Sequence, residues 1–531
     1  MKFDRAGGIL LHPTSLPGPY GIGDLGPQAY RFVDWLASTG CKLWQMLPLG
    51  PTGYGDSPYQ CFSAFAGNPY LISFDALIED GLLTKDDFSD LPDFPASRVD
   101  FGLLIPWKLD LLQKAFSRFT LSNIEGLRKG FEYFCAENAF WLDDYALFMA
   151  LKEANGGGAW NGWHVSTRNR KKSAMDRARK QLSENILRHS FYQFIFFRQW
   201  GALRTYARER NIQIVGDIPI FVAYDSADVW AHPELFFLDK RGNPTVVAGV
   251  PPDGFSATGQ LWGNPLYRWD THKENGYAWW VERVKFTLKT VDILRLDHFR
   301  GFAGYYEIPA EDTTAEHGHW VPGPGADLFR ALDNSLSDGA VTPQIELSRS
   351  LLNGGTMRAG LPIIAEDLGL ITPDVVELRE EFRLPGMKIL QFGFSNPKDP
   401  FLPHNYPPNC VAYTGSHDND TACGWFESAP QEERKFALRY LNIQPCKGSD
   451  PSASPQDVPS QGFAWELIRA VWSSVAMIAV APMQDVLGLG GEARMNFPSR
   501  LGGNWEWRMQ ESALNEDLAN RLRELNELYY R

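Results

Sequence analysis

The sequence lacks paired cysteines and an excess of positive charge. Its six cysteines in 531 residues form no close pair, which excludes the usual zinc-finger and dithiol redox motifs. The 64 acidic residues outnumber the 51 basic residues and give a net charge of -13. Because a phosphate backbone repels such a surface, we expect no nucleic-acid partner. A neutral polymer is not excluded.

The sequence also lacks a long apolar run. The most apolar late stretch, Val471–Val486, is interrupted by Ser473, Ser474 and other polar residues and is too short to span a bilayer. The first residues do not form the apolar core of a signal peptide. We therefore expect a soluble, cytoplasmic protein with no membrane partner.

What the chain does contain is a series of short apolar runs, which are typical of fully buried parallel strands. Several intervening segments have helical spacing, such as Pro27–Ser38, where Phe32, Trp35 and Leu36 share one face. Buried strands that alternate with helices predict an α/β fold, a (β/α)8 TIM barrel. The eight predicted strands are Gly8–His12, Lys42–Leu49, Ile212–Phe221, Val291–Phe299, Leu361–Leu368, Met387–Phe394, Cys410–His417 and Val475–Val486.

Two intervals between predicted strands are too long for a simple crossover. The first contains apolar residues at helical spacing and predicts a mainly helical insertion at about residues 55–190. The second, about residues 223–282, is rich in Gly, Pro and Trp and predicts a long, ordered, functional loop. A Pro- and Ser-rich segment, Gly448–Gln461, predicts a surface excursion. With these insertions, residues 1–531 are expected to form a single catalytic barrel domain.

Three motifs do not change this interpretation. Gly21–Gly26 fits a dinucleotide fingerprint, but prolines separate it from the preceding strand and no acidic residue closes the next strand. We interpret it as a glycine-rich loop. The basic run Arg168–Lys180 predicts a solvated helix face. His317 and His319 have no acidic or cysteine partner at a spacing typical of a metal site. We therefore expect both histidines to lie in a loop and to bind no metal. No cofactor and no metal is therefore expected.

Acidic side chains follow several predicted strands at the end where barrel enzymes hold their active sites. Asp217, Asp297, Glu366 and Asp418 lie at the carboxyl ends of the third, fourth, fifth and seventh strands. A lone carboxylate at a strand end can cap a helix or pair with arginine, and we expect this of Asp367 and Asp485. Four carboxylates that converge on one rim repel one another, and this repulsion raises their pKa values. Such a costly arrangement is hard to explain unless the carboxylates have a function. The pattern therefore indicates catalysis.

Cleavage of an acetal needs such a group, because the glycosidic oxygen must be protonated and the anomeric carbon needs an anion or nucleophile. Arg295 lies two residues before Asp297 on a strand, so both side chains can face the same way. Its charge would keep Asp297 ionised, as a nucleophile requires. Glu366 has the longer reach and is suited to donate a proton, and Asp418 is suited to grip sugar hydroxyls.

These motifs resemble those of the amylomaltase or 4-α-glucanotransferase family, glycoside hydrolase family 77, which is related to the α-amylases. The resemblance covers nearly the whole chain and includes His12–Gly18, Ser57–Gln60 and Gly216–Ile220. The most specific part is the loop Pro251–Pro265, which favours the disproportionating enzyme. Gly254 departs from the family pattern, in which many members have a larger residue, and leaves the sugar contacts of the loop tip open.

The resemblance implies a retaining double displacement with Asp297 as nucleophile, Glu366 as acid and base, and Asp418 as transition-state stabiliser. It implies transfer of a segment of an α-1,4-glucan to the 4-hydroxyl of glucose or a maltooligosaccharide. The residues that it implies for substrate binding are Tyr59, Asp217, Phe255, Trp262, Asn264, Arg295, His298 and His417.

Other functions stay open at this point. One is an α-1,4-glucan hydrolase of the α-amylase clan on the same barrel. Another is a non-catalytic glucan-binding protein, although such a protein has no use for all three carboxylates. A sugar-nucleotide glycosyltransferase would need a nucleotide cradle, which the rejected glycine motif does not supply. Donor and acceptor length, the ratio of transfer to hydrolysis, and the choice between monomer and dimer are not determined by the sequence.

Overall fold

The computed structural model describes residues 5–122, 124–252, 256–337, 360–443, 460–498, 500 and 502–531. These residues contain twelve strands. The strands are β1 (Ala6–Leu10), β2 (Leu43–Gln45), β3 (Gln213–Ile218), β4 (Val246–Val250), β5 (Gln260–Pro265), β6 (Ile293–Leu296), β7 (Gly304–Pro309), β8 (His319–Pro322), β9 (Ile363–Ala365), β10 (Gly386–Ile389), β11 (Cys410–Tyr413) and β12 (Ile478–Pro482).

Within the described residues, eight of these strands close a parallel barrel in the order β1-β12-β11-β10-β9-β6-β3-β2. Strand β1 pairs in parallel with both β2 and β12, which completes the ring. Each barrel strand overlaps one of the eight predicted runs. The predicted (β/α)8 fold is therefore confirmed.

Side chains along each barrel strand point alternately inward and outward. In β2, Leu43 belongs to the apolar cluster inside the barrel, whereas Trp44 packs with the surrounding helices. In β6, Ile293 and Leu294 divide in the same way. Because both faces are buried, these strands consist of continuous apolar runs rather than an alternating pattern.

The helices surround the barrel and fill the intervals between its strands. Helix α1 spans Pro27–Ser38, as predicted, with proline in its first turn and Phe32, Trp35 and Leu36 buried. The other helices among the described residues are α2 (Phe74–Glu79), α3 (Phe101–Leu121), α4 (Glu125–Ala154), α5 (Val165–Arg168), α6 (Lys172–Gln181), α7 (Ser183–Glu209), α8 (Ala227–Ala231), α9 (Trp269–Glu274), α10 (Ala278–Thr290), α11 (Arg300–Ala303), α12 (Ala326–Ser337), α13 (Pro373–Glu381), α14 (Ala422–Ser428), α15 (Gln431–Tyr440), α16 (Ser460–Ser473), α17 (Met483–Leu487) and α18 (Glu516–Leu528).

The interval between β2 and β3 contains helices α2 to α7. Helix α7 returns the chain to the barrel, where the Trp200 Nε1–H donates a hydrogen bond of 3.0 Å to the Thr290 carbonyl. That the insertions and the barrel form one catalytic domain stays a prediction.

The interval at residues 223–282 is more regular than the predicted long loop. It contains α8, α9 and the strands β4 and β5, which join β7 and β8 in an antiparallel sheet of order β5-β4-β7-β8. Only one end of β5 is buried, so its sequence lacks the continuous apolar run of a barrel strand. The same sheet corrects the prediction for His319, which begins β8 instead of lying in a loop.

Two other predictions concern surface segments. The basic run does lie largely on α5 and α6, but Arg170 between them is not a solvated side chain. Its guanidinium pairs with Asp144 at 2.6 Å and covers the Trp230 ring at 4.3 Å. Most of Gly448–Gln461 lies outside the described residues. Across the part of the chain that is described, no helix is long and apolar enough to cross a membrane.

Candidate active site

The carboxyl ends of the barrel strands open into a cavity of about 660 Å³, which we call the cleft. Asp297 follows β6 and Asp418 follows β11, so two parallel strands deliver these carboxylates to one rim. Of the residues predicted to form the site, Tyr59, Trp262, Asn264, Asp297, His417 and Asp418 line the cleft.

Arg295 connects two of the predicted carboxylates. Its guanidinium lies 2.5 Å from Asp217 through Nη1 and 2.9 Å from Asp297 through Nη2. Arg295 and Asp217 are buried, whereas the Asp297 side chain is 26% exposed towards the cleft. The accessible carboxylate is therefore held by a cation that is itself inaccessible to solvent.

Asp217 is the most deeply buried member of the ion-paired group that it forms with Arg295 and Asp297. Its Oδ2 accepts hydrogen bonds from Arg295 and, at 2.8 Å, from the Tyr59 hydroxyl. Burial raises the pKa of Asp217, and the charge of Asp297 raises it further, while Arg295 opposes both. The side chain of Asp217 is fully buried and is therefore inaccessible to a substrate.

Glu366 follows β9 and is held by backbone donors. Its Oε2 accepts the His298 N–H at 2.7 Å, and its Oε1 accepts the Leu368 N–H at 2.8 Å. Burial, followed by the charge of Asp297, raises the pKa of Glu366 to about 8. The raised pKa favours the protonated form of Glu366 near neutral pH, which is the form that a proton donor requires.

His298 supplies one of these donors through an unusual backbone conformation. Its φ is 51°, in the left-handed region that residues other than glycine rarely adopt. The Trp262 ring meets the His298 ring edge-on, with 4.8 Å between centroids. Burial lowers the pKa of His298 to about 4, so its ring is neutral near pH 7.

Asp418 is the most accessible of the three predicted catalytic carboxylates, with 46% of its side chain exposed. Its Oδ1 accepts a hydrogen bond of 2.6 Å from Asn496, and its Oδ2 lies 3.3 Å from His417 Nε2. Two neighbours therefore fix the carboxylate while leaving it open to the cleft.

An aromatic stack supports this side of the cleft. The Tyr59 and His417 rings are nearly parallel, with 5.1 Å between centroids, and Trp505 contacts both rings. Burial lowers the pKa of His417. A neutral His417 can donate a hydrogen bond without adding charge beside Asp418.

The opposite wall comes from the antiparallel sheet. Trp262 on β5 donates a hydrogen bond of 3.1 Å from Nε1 to Gln260 Oε1. Asn264 accepts a hydrogen bond of 3.2 Å from Gln60 and donates one of 2.9 Å to the Val222 carbonyl. Phe255, the remaining predicted substrate-binding residue, lies outside the described residues.

Two further strand-end carboxylates have structural partners, as the sequence suggested for such residues. Asp367 pairs with Arg379 at 2.9 Å and accepts the Met387 N–H. Asp485 accepts hydrogen bonds from the Ala422 N–H and from the Thr414 hydroxyl. Within the described ranges, no group of three or more His, Cys, Asp or Glu side chains is placed to hold a metal ion.

Sequence reasoning missed several residues of the site. Asn496 contacts Asp418, Trp505 completes the aromatic stack, and Gln60 contacts Asn264. Arg494 donates from Nη2 to the Asp418 carbonyl at 2.7 Å. Arg494 and Asn496 flank the apolar Met495 after the eighth strand, and no local sequence pattern marks them as residues of the site.

Comparisons with known proteins identify the family to which the chain belongs. The model of glycoside hydrolase family 77, described as 4-alpha-glucanotransferase, matches residues 11–515. The chain is 49% identical over 530 residues to the 4-alpha-glucanotransferase of Thermus thermophilus, with 99% of each chain covered. The chain belongs to the 4-alpha-glucanotransferase family. Another relative is the chloroplastic/amyloplastic 4-alpha-glucanotransferase of Solanum tuberosum, at 42% identity over 99% of this chain and 86% of that one.

Solved structures of the family have the same fold. An amylomaltase from Streptococcus agalactiae, solved in complex with acarbose, is 40% identical, with a TM-score of 0.89 and 99% of each chain covered. The amylomaltase of Corynebacterium glutamicum has a TM-score of 0.73 at 18% identity and covers 98% of this chain and 75% of its own. The predicted family, enzyme class and 4-α-glucanotransferase function are confirmed, and the family acts on α-1,4-glucans.

Proposed function

We propose that the cleft performs this transfer by a retaining double displacement in which Asp297 is the nucleophile, Glu366 is the acid and base, and Asp418 stabilises the transition state. The donors and acceptors are maltooligosaccharides and longer α-1,4-glucans. Tyr59, Trp262, Asn264 and His417 contact the bound sugars, while Asp217, Arg295 and His298 hold the reacting groups in place.

One observation supports this assignment above the others. The accessible Asp297 carboxylate is ion-paired with Arg295 at 2.9 Å, and the pKa of Glu366 at the same rim is raised to about 8. The guanidinium of Arg295 stabilises the negative charge of Asp297, and the raised pKa favours the protonated form of Glu366. Retaining glycosidic chemistry requires this pair of protonation states.

In the first step, Asp297 attacks the anomeric carbon of the donor and forms an ester bond. The glycosidic C–O bond breaks, and the departing oxygen takes the proton of Glu366. Asp418 lies beside the reacting ring, where its carboxylate hydrogen bonds to hydroxyls strengthen as the ring distorts.

In the second step, Glu366 takes the proton of the acceptor 4-hydroxyl, and the acceptor oxygen displaces Asp297. Water competes for this step, so transfer depends on a well-oriented acceptor and on restricted access of water. The aromatic walls formed by Trp262, Phe497 and Trp505 are suited to both tasks, because they cover sugar faces with apolar surface.

Incubation with maltotriose tests the proposed reaction against hydrolysis. Transfer yields glucose together with oligosaccharides longer than maltotriose, whereas hydrolysis yields only shorter sugars. Products resolved by chromatography over time distinguish the two. Exclusive formation of glucose and maltose would support the α-glucan hydrolase instead.

Asp297→Asn tests the assigned nucleophile. We expect turnover of maltotriose to fall by on the order of 10⁴-fold or more, because no covalent intermediate can form. Asp374→Asn, a change in the first turn of α13, is the control and should leave turnover unchanged. Substantial residual transfer by Asp297→Asn would remove Asp297 as the nucleophile.

A further inference from the structure

A second cavity, of about 270 Å³, lies outside the cleft. It is bounded by α4, α8 and α10, and by the segment at residues 63–65. This segment continues from Tyr59, which lines the cleft, so one stretch of chain borders both cavities. Because small-molecule sites span about 300–1,000 Å³, the second cavity has room for little more than one sugar ring.

One wall of the second cavity is aromatic. Phe140 on α4 is 49% exposed at this cavity, while Phe65 beneath it is buried. The two rings meet edge-on, with 5.7 Å between centroids, and Phe65 also meets Trp279 edge-on. An exposed ring held by buried rings is suited to cover the apolar face of a sugar.

The polar wall is acidic in composition, but much of its charge is already paired. Asp144 is 2.6 Å from the Arg170 guanidinium. The imidazole of His232 lowers the pKa of Glu234, and Glu234 in turn raises the pKa of His232. Asp228 accepts the Ala64 N–H at 2.8 Å, and burial raises its pKa. A wall of this kind favours a neutral ligand rich in hydroxyl groups over a cation.

One residue that lines the cavity has a buried hydrogen-bond donor without a partner among the described residues. Trp279 lines the cavity and is only 8% exposed, and its Nε1–H makes no hydrogen bond among the described residues. A buried donor is unfavourable unless a ligand or water accepts its proton. A sugar hydroxyl is an acceptor of the required kind.

We propose that the second cavity binds one glucose unit of an α-1,4-glucan outside the cleft. The inference rests on the proposed function, because it assigns the same polymer to both cavities. A glucan that reaches the second cavity and the cleft together is retained more strongly than one held by the cleft alone. The site therefore discriminates between long and short substrates and does not touch the reacting atoms.

Maltotriose binding to the full-length Asp297→Asn protein tests this proposal by titration calorimetry. Addition of Phe140→Ala should remove one equivalent of bound maltotriose. Tyr133→Ala is the matched control, because Tyr133 is an exposed aromatic residue on the same helix that does not line the cavity. Equal thermal melting of the three proteins shows that each is folded.

Kinetics of the active enzyme provide a second measurement. Trp279→Phe replaces the indole with a smaller ring, so it removes the unpartnered N–H together with part of the aromatic surface, and Phe140→Ala removes the exposed ring. Each substitution should raise KM for amylose roughly 2- to 10-fold, because a single aromatic or hydrogen-bond contact with a sugar contributes about that factor to binding. The kcat for maltotriose should stay unchanged. Tyr133→Ala should leave both values unchanged.

The calorimetric result distinguishes failure of the second site from failure of the proposed function. If Asp297→Asn loses no equivalent on addition of Phe140→Ala and KM for amylose is unchanged, the second site is wrong while the proposed function stands. If Asp297→Asn binds no maltotriose at all, the proposed function is contradicted and the second site with it.

Discussion

Glu366 is subject to opposing influences on its charge. Two backbone N–H groups favour its ionised form, whereas burial and the charge of Asp297 favour its neutral form. Burial has the largest influence, and the pKa rises to about 8. The raised pKa therefore favours the protonated form that the proposed mechanism requires of Glu366 before the substrate reacts.

This raised pKa predicts the alkaline limit of activity. Because donation needs the protonated form, which is lost as pH rises through about 8, kcat/KM for maltotriose should fall tenfold per pH unit above that value. A pH–rate profile measures this. Glu366→Gln should show low activity whose residual rate lacks this limb. A wild-type kcat/KM that stays constant well above pH 8 would contradict the assignment of Glu366 as the acid.

Asn496 is expected to position Asp418. Asn496→Ala removes the 2.6 Å hydrogen bond to Asp418 Oδ1 and should lower kcat by about 10- to 100-fold with a smaller effect on KM, since a small misplacement of a reacting group has this effect. Asn496→Asp places a second carboxylate against the first and should be worse than alanine. Steady-state kinetics on maltotriose test the order of the two variants. An aspartate variant with normal kcat would show that the contact is not needed.

The contrast between Asp418 and Asn496 shows what the sequence allows at this scale. Acidic residues at the ends of buried strands have a distinctive pattern, so Asp217, Asp297, Glu366 and Asp418 could be selected together. Asn496 has no charge and follows the last strand by more than ten residues. Its role depends on how the chain after β12 folds back over Asp418, which no local pattern reveals.

At the scale of elements, predictability follows burial. The barrel strands are buried on both faces, so each appears as a continuous apolar run. Strand β5 is half exposed, and β4 contains Gly249 at a register shift between the two strands. Because of these features, β4 and β5 lack the continuous apolar run that identifies the barrel strands. The sequence therefore predicted a loop in a region that forms a sheet.

Gly249 is required by the sheet that holds Trp262. A Cβ at this position would lie 2.2 Å from the Gln260 carbonyl oxygen and 2.5 Å from Ile308. Gly249→Ala should lower the free energy of unfolding by about 1–3 kcal/mol and raise KM, because β5 must move away. Urea unfolding and kinetics measure both effects.

Gly126→Ala is the control for this change. Gly126 lies on α4, and an added Cβ meets no atom within 4 Å. Its stability should be unchanged or slightly higher, because alanine favours a helix. Equal effects of the two substitutions would refute the steric argument.

At the scale of the whole molecule, both ends of the described chain meet beneath the barrel. Arg531 donates to the carbonyls of Val471, Trp472 and Ala476, at 3.1, 2.7 and 3.1 Å. Arg5 binds the Trp472 and Ala476 carbonyls as well. These carbonyls lie in the last turn of α16 and in the segment that joins it to β12, so the two arginines hold the last crossover against β1.

Arg531→Ala should therefore weaken the whole fold. Loss of a buried guanidinium that satisfies several carbonyls should reduce the free energy of unfolding by about 2–4 kcal/mol. Chemical unfolding followed by tryptophan fluorescence measures the change. Arg523→Ala, which removes an exposed side chain with one bond to the Ser38 carbonyl, should cost less than about 1 kcal/mol. A reversed order would contradict a closing role for Arg531.

The electrostatic interaction between Asp297 and Glu366 also links the protonation of Glu366 to the stage of the reaction. The charge of Asp297 is the second cause of the raised pKa of Glu366. In the proposed mechanism the sugar esterifies Asp297 and removes that charge, so the pKa of Glu366 should fall while burial continues to raise it. The group that begins as an acid is thereby turned into a base when the acceptor arrives, and reverts when the ester is cleaved. The alternation between the two half-reactions therefore needs no conformational change. Each time Asp297 forms or breaks its bond to the sugar, the change in its charge shifts the pKa of Glu366.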